Sequence, residues 1–283
     1  MSQQSALVRR IALISEHASP LRAPGGVDSG GQNVYVAQIA AELGRRGYRV
    51  DVFTRRDRQR LPSVLTWRPN VQVVHVPTGP RRFVPKEELL PHMGELARYL
   101  GRFCGAQAEP YDLLHANFFM SGMAARHVKH ALGLPFVMTF HALGRVRRQY
   151  QGAADGFDDS RFAIEEQLMR DSDAIVAECE QDERDMVALY GADRDRIECV
   201  PCGFDPAGFW PVADARARLG VEPSEFVVLQ LGRMVARKGV DNVIRAVGLL
   251  RRVHDIRARL FIVGGNGAVR VGKPFQPEEL ADG

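Results

Sequence analysis

Between Arg10 and Val200 the sequence alternates short apolar runs with amphipathic stretches, an order that few folds accommodate. The runs Arg10–Glu16, Arg49–Thr54, Val71–Val76, Asp112–Ala116, Pro135–Phe140, Ala174–Ala177 and Ile197–Val200 suit strands buried on both faces. Between them recur helical periodicities: Val36, Ile39, Ala40 and Leu43, closed by Gly47; Leu89 to Leu100 within Pro85–Gly105; then Gly122–Leu132, Arg161–Arg170 and Gln181–Tyr190. This βαβα rhythm implies an α/β protein with a doubly wound parallel sheet. The polar stretch Arg145–Ser160, carrying Gly152 and Gly156, reads as a mobile loop.

The Pro- and Gly-rich segment Pro201–Pro211 breaks the rhythm and reads as an interdomain linker, giving a first domain over residues 1–200. A second α/β unit follows over 212–283: strand Phe226–Leu231, loop Gly232–Gly239, helix Val240–Val253 and strand Ala258–Val263. It is short against the ~100–150 residues usual for a domain, so we expect it to be incomplete. The 283 residues, 45% apolar, suffice for a substantial core. A net charge of +4 suits phosphorylated small molecules as well as a solvated basic surface, and no helix-turn-helix or finger pattern supports nucleic acid as a partner. The apolar stretch behind Arg9 and Arg10 is too short for a signal peptide or a membrane span, which points to a cytoplasmic protein. Cys199-x-x-Cys202 lacks the second pair of a zinc site and the helix N-terminus of a redox dithiol, so the cysteines read as structural.

Four constellations bear on chemistry. Gly30-Gly31-Gln32-Asn33 lies between a strand and a helix, where paired glycines admit close approach of a bulky group and free N–H groups face an anion; a surface turn is the alternative. Gly232-Arg233…Lys238-Gly239 places two cations at the carboxyl end of a strand, the position at which open α/β sheets bind ligands, and suits a diphosphate. Thr139-Phe140-His141 ends a very apolar strand, so His141 serves as base, donor or hydrogen-bonded core residue. Arg161 and Glu165, four apart on a helix, make either a surface pair or a phosphate clamp, and spacing does not decide between them.

Taken together, Gly-Gly-Gln-Asn-Val-Tyr-Val, Glu42-Leu-x-Arg-Arg-Gly47, Thr139-x-His141, Arg161-x-x-x-Glu165, Pro201-x-Gly-x-Asp205 and Gly-Arg233…Lys238-Gly resemble the family 4 retaining glycosyltransferases of the GT-B fold. The pattern is similar to that of sucrose-phosphate synthase, sucrose synthase and the inositol-phosphate N-acetylglucosaminyltransferase. The resemblance spans roughly residues 10–267 and implies two Rossmann-like domains, the first for the acceptor and the second for a nucleotide-sugar, here expected to be UDP-linked. It implies Arg233 and Lys238 on the donor diphosphate, Gly30 and Gly31 packed against it, and His141 on the donor sugar. On the acceptor side it implies Gln32, Asn33, Lys86, Arg147, Arg161 and Glu165, with a sugar or polyol phosphate as acceptor. No metal or other cofactor is expected, and Asp171-Ser-Asp173 reads as turn chemistry. A homodimer is among the expectations.

The chain departs from the family at three places. Phe118 stands where a tyrosine hydroxyl is expected, and Ala142 replaces a Ser or Thr. The family's acidic Glu-x-Gly-Phe-Gly-like motif lies beyond the end of this sequence, so a fragment or truncated product with weak or absent transferase activity is expected. Two further readings stand beside the transferase: a non-catalytic acceptor-binding module, and a dinucleotide-dependent oxidoreductase. Against the latter, the glycines are not Gly-x-Gly-x-x-Gly and Asp51 lies inside its strand.

Overall fold

The computed structural model describes residues 9–22, 30–232, 234 and 238–264. Its contacts divide the chain into two units that part between Gly203 and Phe204, inside the expected linker.

In chain order the first unit runs β1 (Arg10–Ile14), α1 (Gly31–Arg45), β2 (Arg49–Arg55), β3 (Val64–Arg68), β4 (Val71–Val76), α2 (Met93–Gly105), β5 (Leu113–Asn117) and α3 (Phe119–Leu132). It continues with β6 (Phe136–Thr139), α4 (Gly144–Gln151), α5 (Ser160–Asp171), β7 (Ala174–Ala177), α6 (Glu180–Tyr190) and β8 (Ile197–Cys199). The eight strands lie in the order β3-β4-β2-β1-β5-β6-β7-β8, all parallel except β3. Strand order reverses at β1, between β2 and β5, and such switch points are where open α/β sheets hold ligands.

Both faces of the sheet are covered, as the apolar runs require. Along β1 the side chains alternate between two cores: Leu13 packs with Val36 and Ala40 of α1 and with Val50, Val52, Val71 and Val73. Ala12 and Ile14 face the other side, with Leu96 and Leu100 of α2 and Ala124 and Val128 of α3. Gly47 has φ 91°, so the stop signal after α1 works through a left-handed residue that a side chain would strain.

The expected mobile loop over Arg145–Ser160 is corrected: its first half is α4, followed by a 3-10 turn at Gly152–Ala154. Val146 is the one aliphatic residue in Gly144–Gln151, so no apolar periodicity marked this helix. The sequence also gave no warning of β3, an antiparallel edge strand with alternating half-buried and exposed side chains. The first part of the expected Pro85–Gly105 helix consists of two 3-10 turns, Lys86–Glu88 and Leu90–His92, ahead of α2.

Asp51 lies near the amino end of the sheet, opposite the ligand-binding end. There it accepts hydrogen bonds from Arg10 Nη2 at 2.8 Å and from the Tyr111 hydroxyl at 2.5 Å. Its carboxylate is a structural anchor joining β1, β2 and the approach to β5. Asp51→Asn is expected to lower the unfolding free energy by about 1.5–3 kcal/mol, the usual worth of hydrogen bonds to a charged group, measured by urea titration.

The second unit comprises α7 (Ala215–Arg218), β9 (Phe226–Leu231), α8 (Val240–His254) and β10 (Ala258–Val263). Strands β9 and β10 are parallel, with Phe226 opposite Ala258 and Leu231 opposite Val263, and α8 makes the crossover. Strand and helix bounds match the sequence expectation closely. Among the described residues no helix is long and apolar enough to cross a membrane.

Candidate functional site

The candidate residues of the first unit lie in the segments that follow β1, β4 and β6, with His141 directly after β6, Arg147 in α4, Arg161 and Glu165 in α5, and Lys86 in the 3-10 turn after β4. At the start of α1, Gly31 is exposed with open space beside its Cα, and no side chain caps the helix at Gly30. Gln32 reaches across the switch point, its Nε2 donating to Ser15 Oγ at 3.2 Å and to the Asn117 carbonyl at 3.3 Å. Asn33 is placed differently from an acceptor ligand. It is buried, its Oδ1 accepts from Gly30 N–H and its Nδ2 donates to the Ser19 carbonyl, so its side chain ties the loop to the helix.

His141 sits just past β6 with φ 59°, a left-handed conformation that costs a non-glycine residue about 1–3 kcal/mol. Its Nδ1 lies 3.0 Å from Glu178 Oε1, its Nε2 2.9 Å from Asn117 Oδ1, and Tyr35 packs edge-on at 4.7 Å. Both ring nitrogens are engaged by oxygen atoms of neighbouring side chains, which fixes the plane of the imidazole. Burial alone would raise Glu178, but the hydrogen bond and charge of His141, with the Cys202 thiol, hold its carboxyl below the ordinary value. Cys202 Sγ donates to Glu178 Oε1 at 3.2 Å, and desolvation followed by that carboxylate pushes the thiol up to about 11, which suits the structural reading of this cysteine.

His115, beside this group, bonds Thr139 Oγ1 at 2.8 Å, and desolvation together with the nearby His141 brings it down to about 4. The unfolded chain therefore takes up its proton first as pH falls. The contribution of His115 to stability is intact above about 6.5 and is lost progressively from there toward about 4. His115→Gln is expected to flatten the pH dependence of the urea midpoint in that window.

Arg161 and Glu165 form a buried pair, with side chains 1% and 0% exposed, so the surface-pair alternative is excluded. Arg161 Nε donates to Glu165 Oε1 at 2.7 Å and Nη2 donates to the Ala142 carbonyl, while Nη1 has no protein partner. The guanidinium lies 5.0, 4.8 and 4.7 Å from the rings of Phe118, Phe119 and Phe157. Phe118 thus supplies an apolar wall where the family pattern has a hydroxyl.

Arg147 shares the Phe157 ring with Arg161, at 5.2 Å. Its Nε bonds Asp155 Oδ1 at 2.7 Å and its Nη2 lies 3.5 Å from Glu87 Oε1. The same Glu87 oxygen is 3.1 Å from Lys86 Nζ. Three cations expected from separate segments, Lys86, Arg147 and Arg161, are therefore brought to one place around Glu87 and Phe157. A shallow, open depression lies alongside, lined among others by Glu16, His17, Arg22, Arg55, Phe83 and Val84. It meets the cation cluster where the His17 ring touches Phe118, 5.0 Å apart.

Asp171 pairs with Arg126, and Asp173 accepts from Lys129 at 2.8 Å and from the Phe136 N–H at 2.9 Å, in keeping with the turn reading. Lys238 is exposed just before α8, and its carbonyl accepts from Gln230 Nε2 at 3.3 Å. Arg233 lies outside the described residues. The sequence reading missed Glu16, His17, Glu87, Asn117, Glu178 and Tyr190. The available signal was position: Glu16 and His17 follow β1, and Glu178 follows β7, at the ligand-binding end of the sheet.

An α/β sheet with its polar residues collected at a switch point defines a ligand-binding fold of the Rossmann-like kind. The Glycosyl transferase 4-like domain family matches residues 30–203, and the chain belongs to that family. The D-inositol 3-phosphate glycosyltransferase of Acidothermus cellulolyticus is 39% identical over 281 residues, covering 96% of this chain and 62% of that protein. The structure of sucrose-phosphate synthase from Thermosynechococcus elongatus superposes with a TM-score of 0.81 at 29% identity, over 91% of this chain and 62% of that one. HepE from Anabaena, solved with UDP-glucose, shares the fold at a TM-score of 0.59 and 16% identity, over 91% of this chain and 61% of its own. The fold class is that of the GT-B glycosyltransferases, as the motifs led us to expect. The chain spans about three fifths of the length of each of these proteins.

Proposed function

We propose that this chain carries the acceptor site and part of the donor site of a retaining glycosyltransferase that moves a sugar from a UDP-sugar to a hydroxyl of a sugar or polyol phosphate. One observation carries the reading: Lys86, Arg147 and Arg161, from three separate segments, converge around Glu87 and Phe157. The relatives support it, since their names specify an inositol phosphate and a sucrose phosphate.

Each part has a task that follows from charge. Transfer develops positive charge on the sugar and negative charge on the departing diphosphate, so fixed cations aimed at the diphosphate stabilise the transition state. Lys238, just before α8, is suited to that role, with Arg233 five residues earlier in the sequence. His141, oriented by Glu178 and Asn117 directly after β6, is suited to a sugar hydroxyl that takes the place of one of these two contacts. On the acceptor side no hydroxyl is available at 118 or 142, so the phosphate depends on the three cations.

The test is an incubation of the chain with UDP-glucose or UDP-N-acetylglucosamine and a panel of fructose 6-phosphate, inositol 3-phosphate and their unphosphorylated forms, following UDP release and glycoside formation. Turnover confined to a phosphorylated acceptor supports the reading. Saturable binding of a phosphorylated acceptor without turnover favours an acceptor-binding module, and neither binding nor turnover with any phosphate ester refutes the assignment.

A further inference from the structure

Resting on the transferase reading, we infer that Tyr190 and Glu165 are positioning residues that, with Arg161, clamp the backbone of the His141–Arg145 segment and so hold His141 at the ligand-binding end of the sheet. The segment needs such support. His141 is left-handed, and α4 begins three residues later with no side chain of its own to cap it. The first N–H groups of a helix lack intrahelical acceptors and must find others when buried.

Here they find them on α5 and α6. Gly144 N–H donates to Glu165 Oε2 at 2.9 Å, and Arg145 N–H donates to the Tyr190 hydroxyl at 2.7 Å. The Tyr190 hydroxyl in turn donates to Glu165 Oε2 at 2.5 Å. From the other side of the pair, Arg161 Nη2 donates to the Ala142 carbonyl. Four consecutive residues after His141 thus include three whose backbone is fixed by one buried network. Contact is so close at Gly144 that a Cβ there would sit 3.0 Å from both Arg161 Nε and Glu165 Oε2. Glu165 has Nε–H, N–H and O–H donors around its carboxylate, which leaves it a brace for this loop and no reach toward a phosphate.

The clamp and a direct acceptor-binding role predict different things. With the 283-residue chain carrying Tyr190→Phe, which removes one oxygen and keeps the ring, amide exchange at Gly144 and Arg145 is expected to quicken by about tenfold, the worth of one buried hydrogen bond. In the transfer assay the same variant is expected to lose kcat by about fivefold or more with acceptor KM held within about twofold. Glu165→Gln, still an acceptor, is expected to fall between wild type and Glu165→Ala in both readouts. Exchange unchanged at both amides overturns the clamp. A raised acceptor KM with kcat intact also overturns it and makes Glu165 an acceptor ligand. If the wild-type chain neither binds nor glycosylates any phosphate ester, the functional reading fails by itself, and the exchange measurement still decides the clamp. If Glu165→Gln does not fold, Tyr190→Phe carries both readouts.

Discussion

Glu165→Ala is expected to be the most destabilising single change to a polar side chain in the first unit, costing about 3–5 kcal/mol. The reason is the charge left behind. Arg161 is 1% exposed and enclosed by three aromatic rings, so without Glu165 its guanidinium keeps only the Ala142 carbonyl and the ring faces. Gly144 N–H and the Tyr190 hydroxyl lose their acceptor in the same step. Each unsatisfied buried group adds its own desolvation cost. For a unit of this size the thermal midpoint should fall by roughly 6–20 °C, read by calorimetry. The double variant Arg161→Met with Glu165→Leu is expected to recover part of that loss and no more. It removes the stranded charge, as apolar replacement of buried pairs generally does, but leaves Gly144, Tyr190 and Ala142 unpaired. A full recovery would show that the pair contributes charge balance alone.

The second large effect is expected at Lys86. In the proposed site its ammonium meets the acceptor phosphate, while Glu87 and Asp155 share the neighbouring cations. A charge-assisted contact of this kind is worth about 1.5–3 kcal/mol, so Lys86→Ala should raise the acceptor KM or dissociation constant roughly 10- to 150-fold. The unphosphorylated acceptor provides the control, because a lysine that reads the phosphate leaves its affinity unchanged. Calorimetric titration of wild type and variant with both forms gives the four numbers needed. Equal losses for both forms would place Lys86 in the scaffold of the 3-10 turn it begins.

The distribution of what was legible in the sequence follows the range of the interactions concerned. Strands β1, β2, β4 and β5 to β10 were readable because each is a short run dominated by apolar residues, a local property. The helix α4 was not, since Gly144–Gln151 carries no apolar stripe and owes its start to Glu165 and Tyr190, about 20 and 45 residues further along. The edge strand β3 was not, because it is half exposed and takes its direction from β4. Among site residues, the glycine pair, His141 and the Arg161–Glu165 spacing announced themselves through position after a strand or along a helix. Glu87 did not, having no neighbour in sequence that marks it, and Glu178 carried only its place directly after β7.

By itself the sequence determined the α/β alternation, the break of that rhythm over Pro201–Pro211 and the family motifs, all of which depend on residues close along the chain. Only the tertiary structure decided which way ambiguous polar residues face. Arg161 and Glu165 have the spacing of a solvent-exposed helical pair, yet α5 packs that face against Phe118, Phe119 and Phe157 and takes it out of water. Asn33 has the place of a ligand and the bonds of a cap. Spacing fixes which side chains share a face of an element. What that face meets is set by distant segments, through burial energies that no local pattern encodes.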